Sequence, residues 1–109
     1  MRIWDIDPVR LCRQHLLGEH RELHAILVVL TQNKKGYAHH PETLRWKGRL
    51  KALYNRHEAL VNEMAKRGYR HYSPFAQVLA NGLSKQTKYV NTLAEQIKIL
   101  RAKKCGCKV

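Results

Sequence analysis

Residues 14–30 read QHLLGEHRELHAILVVL. Leu16, Leu23, Leu27 and Leu30 recur there at helical spacing, so the stretch predicts an amphipathic helix with one apolar stripe. The same pattern extends outward. Leu50, Leu53, His57, Leu60 and Met64 form a stripe in a second segment, with Leu44 leading in. Leu79, Leu83, Val90, Leu93, Ile97 and Leu100 fall at heptad-like spacing in a third. No stretch alternates convincingly with the period of a strand. The expected fold is therefore all-α, a small single-domain bundle of three main helices at about residues 8–35, 41–67 and 74–102. The near-equal spacing raises a helical repeat, but the three interiors share no pattern.

The punctuation of the chain fits these segments. Asp7-Pro8, His40-Pro41 and Ser73-Pro74 each place proline at a first helical position, where the missing N–H costs nothing. Asp7 and Ser73 also suit the N-cap. Lys34-Lys35-Gly36-Tyr37 and Lys66-Arg67-Gly68-Tyr69 put glycine after cations, a C-cap signature. Asn81-Gly82 marks a kink or late start in the third segment, and Lys103 to Val109 reads as a frayed basic tail.

Length and composition narrow the partners. The 109 residues make one domain, residues 1–109, with room for a modest core. Lys and Arg number 21 against 8 Asp and Glu, a formal charge of +13, which points to a polyanion: nucleic acid or an anionic membrane. A hydrophobic content of 44% excludes a disordered basic tail. Ala25 to Leu30 is the longest apolar run, far short of a membrane span, and Asp5 and Asp7 spoil any signal-peptide pattern. A cytosolic compartment and no membrane partner are expected. Cys12, Cys105 and Cys107 are odd in number and poorly spaced for a disulfide framework.

Against this basic background, Glu22 stands beside Arg21 on the helical face that carries His15, Gly18 and Glu19, roughly opposite the leucines. A carboxylate among cations suits a DNA-processing enzyme. Spacing alone favours a solvated polar face with a tolerated glycine, since a mid-helix glycine costs only about 1 kcal/mol. Other clusters say less. His20 and His24 with Glu19, His39-His40, and Cys105-x-Cys107 with Cys12 all lack the paired spacing of a structural zinc site, so no metal and no cofactor are expected. Trp4, Trp46, Tyr37, Tyr69 and Tyr72 suit base stacking, although packing in the core or loops is the simpler account. Lys85, Lys88, Lys98, Lys103 and Lys104 fit a solvated face and a non-specific DNA surface equally.

Residues 14–23 resemble the first helix of the pyrimidine dimer DNA glycosylase (phage endonuclease V) family. The family's Gln-His-Leu, short spacer and Glu-aromatic-Arg-Glu-Leu stand here as Gln14-His15-Leu16 and Glu19-His20-Arg21-Glu22-Leu23. The same ungapped register sets Arg2-Ile3 on the family's N-terminal Arg-Ile, and LVNEMAKRGY, residues 60–69, resembles its helix ending in Lys-Arg-Gly-aromatic.

The resemblance implies a bifunctional DNA N-glycosylase and AP lyase. It would act on double-stranded damaged DNA, with cyclobutane pyrimidine dimers, abasic sites or both as substrates. The free α-amine of the N-terminal residue, here Met1, would attack the sugar carbon that bears the damaged base. A Schiff base and β-elimination on the 3′ side would follow. The catalytic glutamate maps to Glu22. The DNA contacts map to Arg2, Gln14, His15, Arg21 and His24. The protein would work as a monomer in the cytoplasm of a bacterial, phage or viral host cell, at the nucleoid. An α-amine with an ordinary pKa of about 7.7–8.0 is partly neutral and nucleophilic at neutral pH.

Three features depart from the family pattern. Residue 2 is Arg rather than the small residue that permits methionine removal, so Met1 itself supplies the amine. Ala25 stands near the family's Pro-Arg pair, leaving His24 or a lysine for that phosphate contact. The family's aromatic C-terminal segment has no counterpart in Lys103–Lys108. The alternative is a non-catalytic basic DNA- or RNA-binding protein on the same fold.

Overall fold

The computed structural model describes residues 2–32, 35–36, 38–70 and 73–109. Asp7 caps a single 3-10 turn, Pro8–Arg10, by accepting the Val9 N–H at 3.1 Å. The long first helix, α1, then runs Arg13–Gln32 and buries Leu16, Glu19, Leu23, Ile26 and Leu27. The apolar stripe is as expected, with one correction. Glu19 does not lie opposite the leucines. At 3.6 residues per turn, positions 16, 19, 23 and 26 share a face, and Glu19 is 2% exposed within it.

The expected second helix is two pieces: α2, Pro41–Leu44, and α3, Leu50–Lys66. Between them the chain turns Trp46 into the core and passes through Gly48 in the left-handed region, φ 76°. Leu44 consequently faces outward, 45% exposed, instead of leading the stripe. Along α3 the buried residues are Ala52, Leu53, His57, Leu60, Glu63 and Met64. The helix ends in a Schellman motif: the Gly68 N–H bonds the Ala65 carbonyl at 3.0 Å and the Tyr69 N–H that of Met64 at 2.9 Å. The Lys-Arg-Gly-Tyr expectation is thus met at residues 66–69. At residues 34–37 it falls partly outside the described residues, as does Tyr72.

The third segment departs most from expectation. Ser73-Pro74 starts no helix, and residues 74–92 hold only a 3-10 turn at Gln77–Leu79. The last helix, α4, is Leu93–Lys103, opened by a Thr92/Glu95 capping box. The intervening loop is committed to capping α3. The Lys51 and Ala52 N–H groups bond the carbonyls of Asn81 and Leu83 at 2.7 and 3.1 Å, and Leu83 N–H returns a bond to Gly48 at 3.0 Å. Gly82 lies so close to Gly48 that a Cβ would strike its carbonyl oxygen. Leu83, Val90 and Leu93 are 58%, 46% and 48% exposed, so their heptad-like spacing is coincidental.

Two non-helical segments complete the core. Ile3, Trp4 and Ile6 lie in a segment without regular secondary structure and are almost wholly buried. The basic tail is not frayed. Arg10 Nε donates to the Lys108 carbonyl at 2.8 Å, the Lys108 N–H donates back to Arg10 at 2.7 Å, and Cys107 and Val109 pack against the core. Arg67 fastens the same region by donating to the carbonyls of Pro8 and Leu11, at 3.2 and 2.7 Å. Among the described residues no helix is long and apolar enough to cross a membrane.

Candidate active site

The backbone amides of residues 3–5 are the key to the site. A segment with neither helix nor sheet partners, packed among helices, has no backbone ladder, so each N–H needs its own acceptor. Three buried side chains supply them. Ile3 donates to Glu42 Oε1 at 3.1 Å, Trp4 to Glu19 Oε1 at 3.1 Å, and Asp5 to Gln96 Oε1 at 2.8 Å. Arg45 closes the frame by donating to Glu42 at 2.7 Å and to the Ile3 carbonyl at 2.9 Å, and by pairing with Asp5 at 3.0 Å. Arg56 clamps Glu19 with two bonds, of 2.6 and 3.0 Å. Burial pushes the Glu19 carboxyl pKa up; the Arg56 guanidinium and the Trp4 N–H oppose this without cancelling it.

The segment so fixed opens onto a cavity of about 290 Å³ lined by Arg2, Trp4, His15, Gly18, Glu19, Glu22 and Lys103. Arg2 stacks on Trp4, with its guanidinium carbon 5.0 Å from the ring centre, and donates to Asn91 at 2.8 Å. The Trp4 ring also meets His15 edge-on at 5.7 Å. Burial, then the charge of Lys103, holds the His15 imidazole pKa below its usual value. Glu22 is half-buried and forms no ion pair with any described residue. The two carboxylates of α1 therefore have separate situations. Glu19 is spent on the fold, and Glu22 faces the cavity beside two cations.

Of the residues singled out from sequence, the structure brings Arg2, His15 and Glu22 to one cavity. Gln14 and Arg21 are exposed on α1 and do not line it. His24 lies elsewhere, its Nε2 3.2 Å from that of His20 and its ring edge-on to His57 at 5.0 Å. Met1 is outside the described residues. Trp4 is 5% and Trp46 2% exposed, so both are chiefly core residues. Sequence reasoning missed Lys103 as a wall of the cavity, and it missed the acceptors Glu19, Glu42 and Gln96. Glu19 alone carried a signal, its register with Leu16 and Leu23. A larger cavity, about 580 Å³, lies toward the other end of α1 against α2 and the start of α3, and has no carboxylate in its lining.

Gly18 leaves room for a substrate. A Cβ there would meet nothing within 4 Å. Gly18→Leu is expected to hold or raise the melting temperature, because leucine recovers most of the roughly 1 kcal/mol that glycine costs a helix. Filling the cavity mouth should at the same time slow DNA incision by about 10²-fold, the scale of a misplaced reactant. Thermal denaturation and a gel-based incision assay check the two halves separately.

The fold and the site together describe a small helical domain that holds residues 3–5 against a cavity lined by two cations and two carboxylates, of which Glu19 is ion-paired to Arg56 and Glu22 is not ion-paired to any described residue. The family model for pyrimidine dimer DNA glycosylase matches residues 1–77, and the chain belongs to that family. No curated protein and no solved structure gives a significant match. Membership implies a DNA glycosylase with DNA as substrate. The matched span contains α1, α3 and the buried Ile3, Trp4 and Ile6, while Gln96 and Lys103 lie beyond it.

Proposed function

We propose that the protein removes a damaged pyrimidine from duplex DNA and then nicks the strand, with the α-amine of Met1 as nucleophile and Glu22 as the working carboxylate. One observation carries this reading. The amides of residues 3, 4 and 5 are each held by a separate buried side chain, and the next residue outward, Arg2, lines the cavity with Glu22. A protein that only bound DNA has no use for so costly an anchoring of its first residues.

The chemistry follows from the groups present. The neutral amine of Met1 forms a bond to the anomeric carbon as the bond to the base breaks. The base departs with the electron pair and takes up a proton. Glu22 stabilises the positive charge that develops on the sugar and relays the protons of ring opening. The resulting protonated Schiff base acidifies the neighbouring carbon, and β-elimination expels the 3′ phosphate. Arg2 and Lys103 at the cavity, with Gln14, Arg21 and the lysines on the outer surface, supply the phosphate contacts that bring the duplex in. Cyclobutane dimers and abasic sites are both consistent with this route. A flipped or already unstacked nucleotide is the form that reaches the cavity.

Borohydride trapping tests the proposal. Incubated with a duplex containing an abasic site, the protein is expected to yield a covalent protein–DNA adduct that peptide mapping places at Met1. Selective acetylation of the α-amine should abolish the adduct while leaving salt-dependent DNA binding intact. An adduct that survives acetylation, or none with the untreated protein, overturns the amine mechanism.

A further inference from the structure

The three cysteines lack the sequence spacing of a disulfide framework or a structural zinc site, yet the fold gathers all of them at one point. Cys12 precedes α1, His15 lies on its first turn, and Cys105 and Cys107 follow α4. Their ligand atoms (three sulfurs and one imidazole nitrogen) all lie within 4.8 Å of one another. His15 Nδ1 is 3.1 Å from Cys12 Sγ and 3.5 Å from Cys107 Sγ, and the Cys105 and Cys107 sulfurs are 3.5 Å apart. We propose that Cys12, His15, Cys105 and Cys107 form a tetrahedral structural zinc site that locks residues 104–109 onto the start of α1.

The geometry supports a metal rather than a chance cluster. Zinc–sulfur bonds of about 2.3 Å and zinc–nitrogen bonds of about 2.0–2.1 Å at tetrahedral angles put ligand atoms roughly 3.5–3.8 Å apart. The spacings here fall close to that range, so closing the site around an ion needs shifts of only tenths of an ångström for the pairs named. Three sulfurs and one imidazole make a soft, nitrogen-containing set that suits zinc over magnesium or calcium. Backbone support is in place, since the Cys12 N–H points at Cys107 Sγ at 3.1 Å. The turn that presents the two cysteines bends through two left-handed residues, Lys104 at φ 51° and Gly106 at φ 97°. Lys104 bears a side chain and is the single non-glycine residue of positive φ among the described residues, so this turn carries a conformational cost. Three thiolates on a divalent ion leave one net negative charge, beside cations that adjoin the ligands in sequence: Arg13 follows Cys12, and Lys103, Lys104 and Lys108 flank the two tail cysteines. Binding displaces three thiol protons to solvent.

The site has consequences for its neighbour. His15 and Lys103 also line the cavity that contains Glu22. A metal that holds the imidazole by Nδ1 and fixes the end of α4 would set that wall in place.

The test uses the full chain, purified under reducing conditions from zinc-supplemented medium. Elemental analysis is expected to find a single zinc ion per chain. Cobalt(II) substituted for it should give an intense sulfur-to-cobalt charge-transfer band with the strong visible bands of a tetrahedral site. Cys107→Ser and His15→Ala should each weaken binding by more than about 10-fold, at or beyond what loss of an outer-shell partner costs. His20→Ala should leave the stoichiometry unchanged. Thiol titration of the wild-type protein should show the cysteines protected until a chelator is added, and this readout stands even if a variant fails to fold. The proposal is overturned if metal content is negligible, if cobalt binds without a charge-transfer band, if Cys107→Ser retains the ion, or if the cysteines are found in a disulfide.

Discussion

Glu22→Gln is expected to bind duplex DNA with the wild-type salt dependence and to incise it about 10³-fold more slowly, within the range measured for removing a positioned acid–base or charge-stabilising group. The substitution keeps shape and volume. It removes only the negative charge at a position where no described ion pair holds the fold together. Single-turnover incision of a lesion-bearing duplex, paired with fluorescence anisotropy across a salt series, separates catalysis from binding. Unchanged incision would remove Glu22 from the mechanism. A parallel loss of binding would mean that the residue organises the surface rather than the reaction.

Arg56→Met should produce the largest loss of stability. It strips the partner from a carboxylate that is 2% exposed, and an uncompensated buried charge costs about 3–5 kcal/mol. At about 4–8 °C per kcal/mol for a domain near this size, the melting temperature should fall by more than about 10 °C. The double variant Glu19→Gln/Arg56→Met should recover much of the loss, because a neutral amide oxygen still accepts the Trp4 N–H. The pH dependence has a definite sign. The folded Glu19 carboxyl is raised above its unfolded value, so its contribution is full below the unfolded pKa and is lost as pH rises through the folded one. Without Arg56 the folded pKa rises further. The deficit of Arg56→Met should therefore be smallest in acid and widen toward neutral pH, as urea melts at several pH values would show.

What the sequence disclosed follows a physical divide. Local periodicity carried α1 and α3, since leucines at positions 16, 23 and 27 or 53 and 60 have only one way to share a face. Leu79, Leu83 and Val90 obeyed the same arithmetic and formed no α-helix. The backbone of residues 81–83 is committed to capping α3, through long-range bonds that no window of neighbours contains. The break at residues 45–49 was hidden for the same reason, because burying Trp46 outweighs continuing the helix. That Arg2, His15 and Glu22 belong together was legible through motif and register, and they share one cavity. Lys103 was not, as it comes to the cavity from 81 positions beyond Glu22, the difference between the two residue numbers. The cysteine–histidine cluster escaped because its halves stand 92 residues apart, as His15 and Cys107 do, and neither half alone has the spacing of a zinc knuckle.

The anchored amides of residues 3–5 also bear on the order in which this molecule can be assembled. A helical domain ordinarily closes mostly local contacts and folds quickly. Here Arg2 bonds Asn91, Asp5 bonds Gln96 and Arg10 bonds Lys108, partners 89, 91 and 98 residues apart. As synthesis proceeds from the N-terminus, α1 and α3 can pair long before α4 has left the ribosome. Until then the amide of Asp5 has no native acceptor. The cavity is thus among the last parts of the molecule to take shape, and a truncated or stalled chain would display α1 and α3 with the amide of Asp5 still lacking Gln96 and the cavity still lacking Lys103.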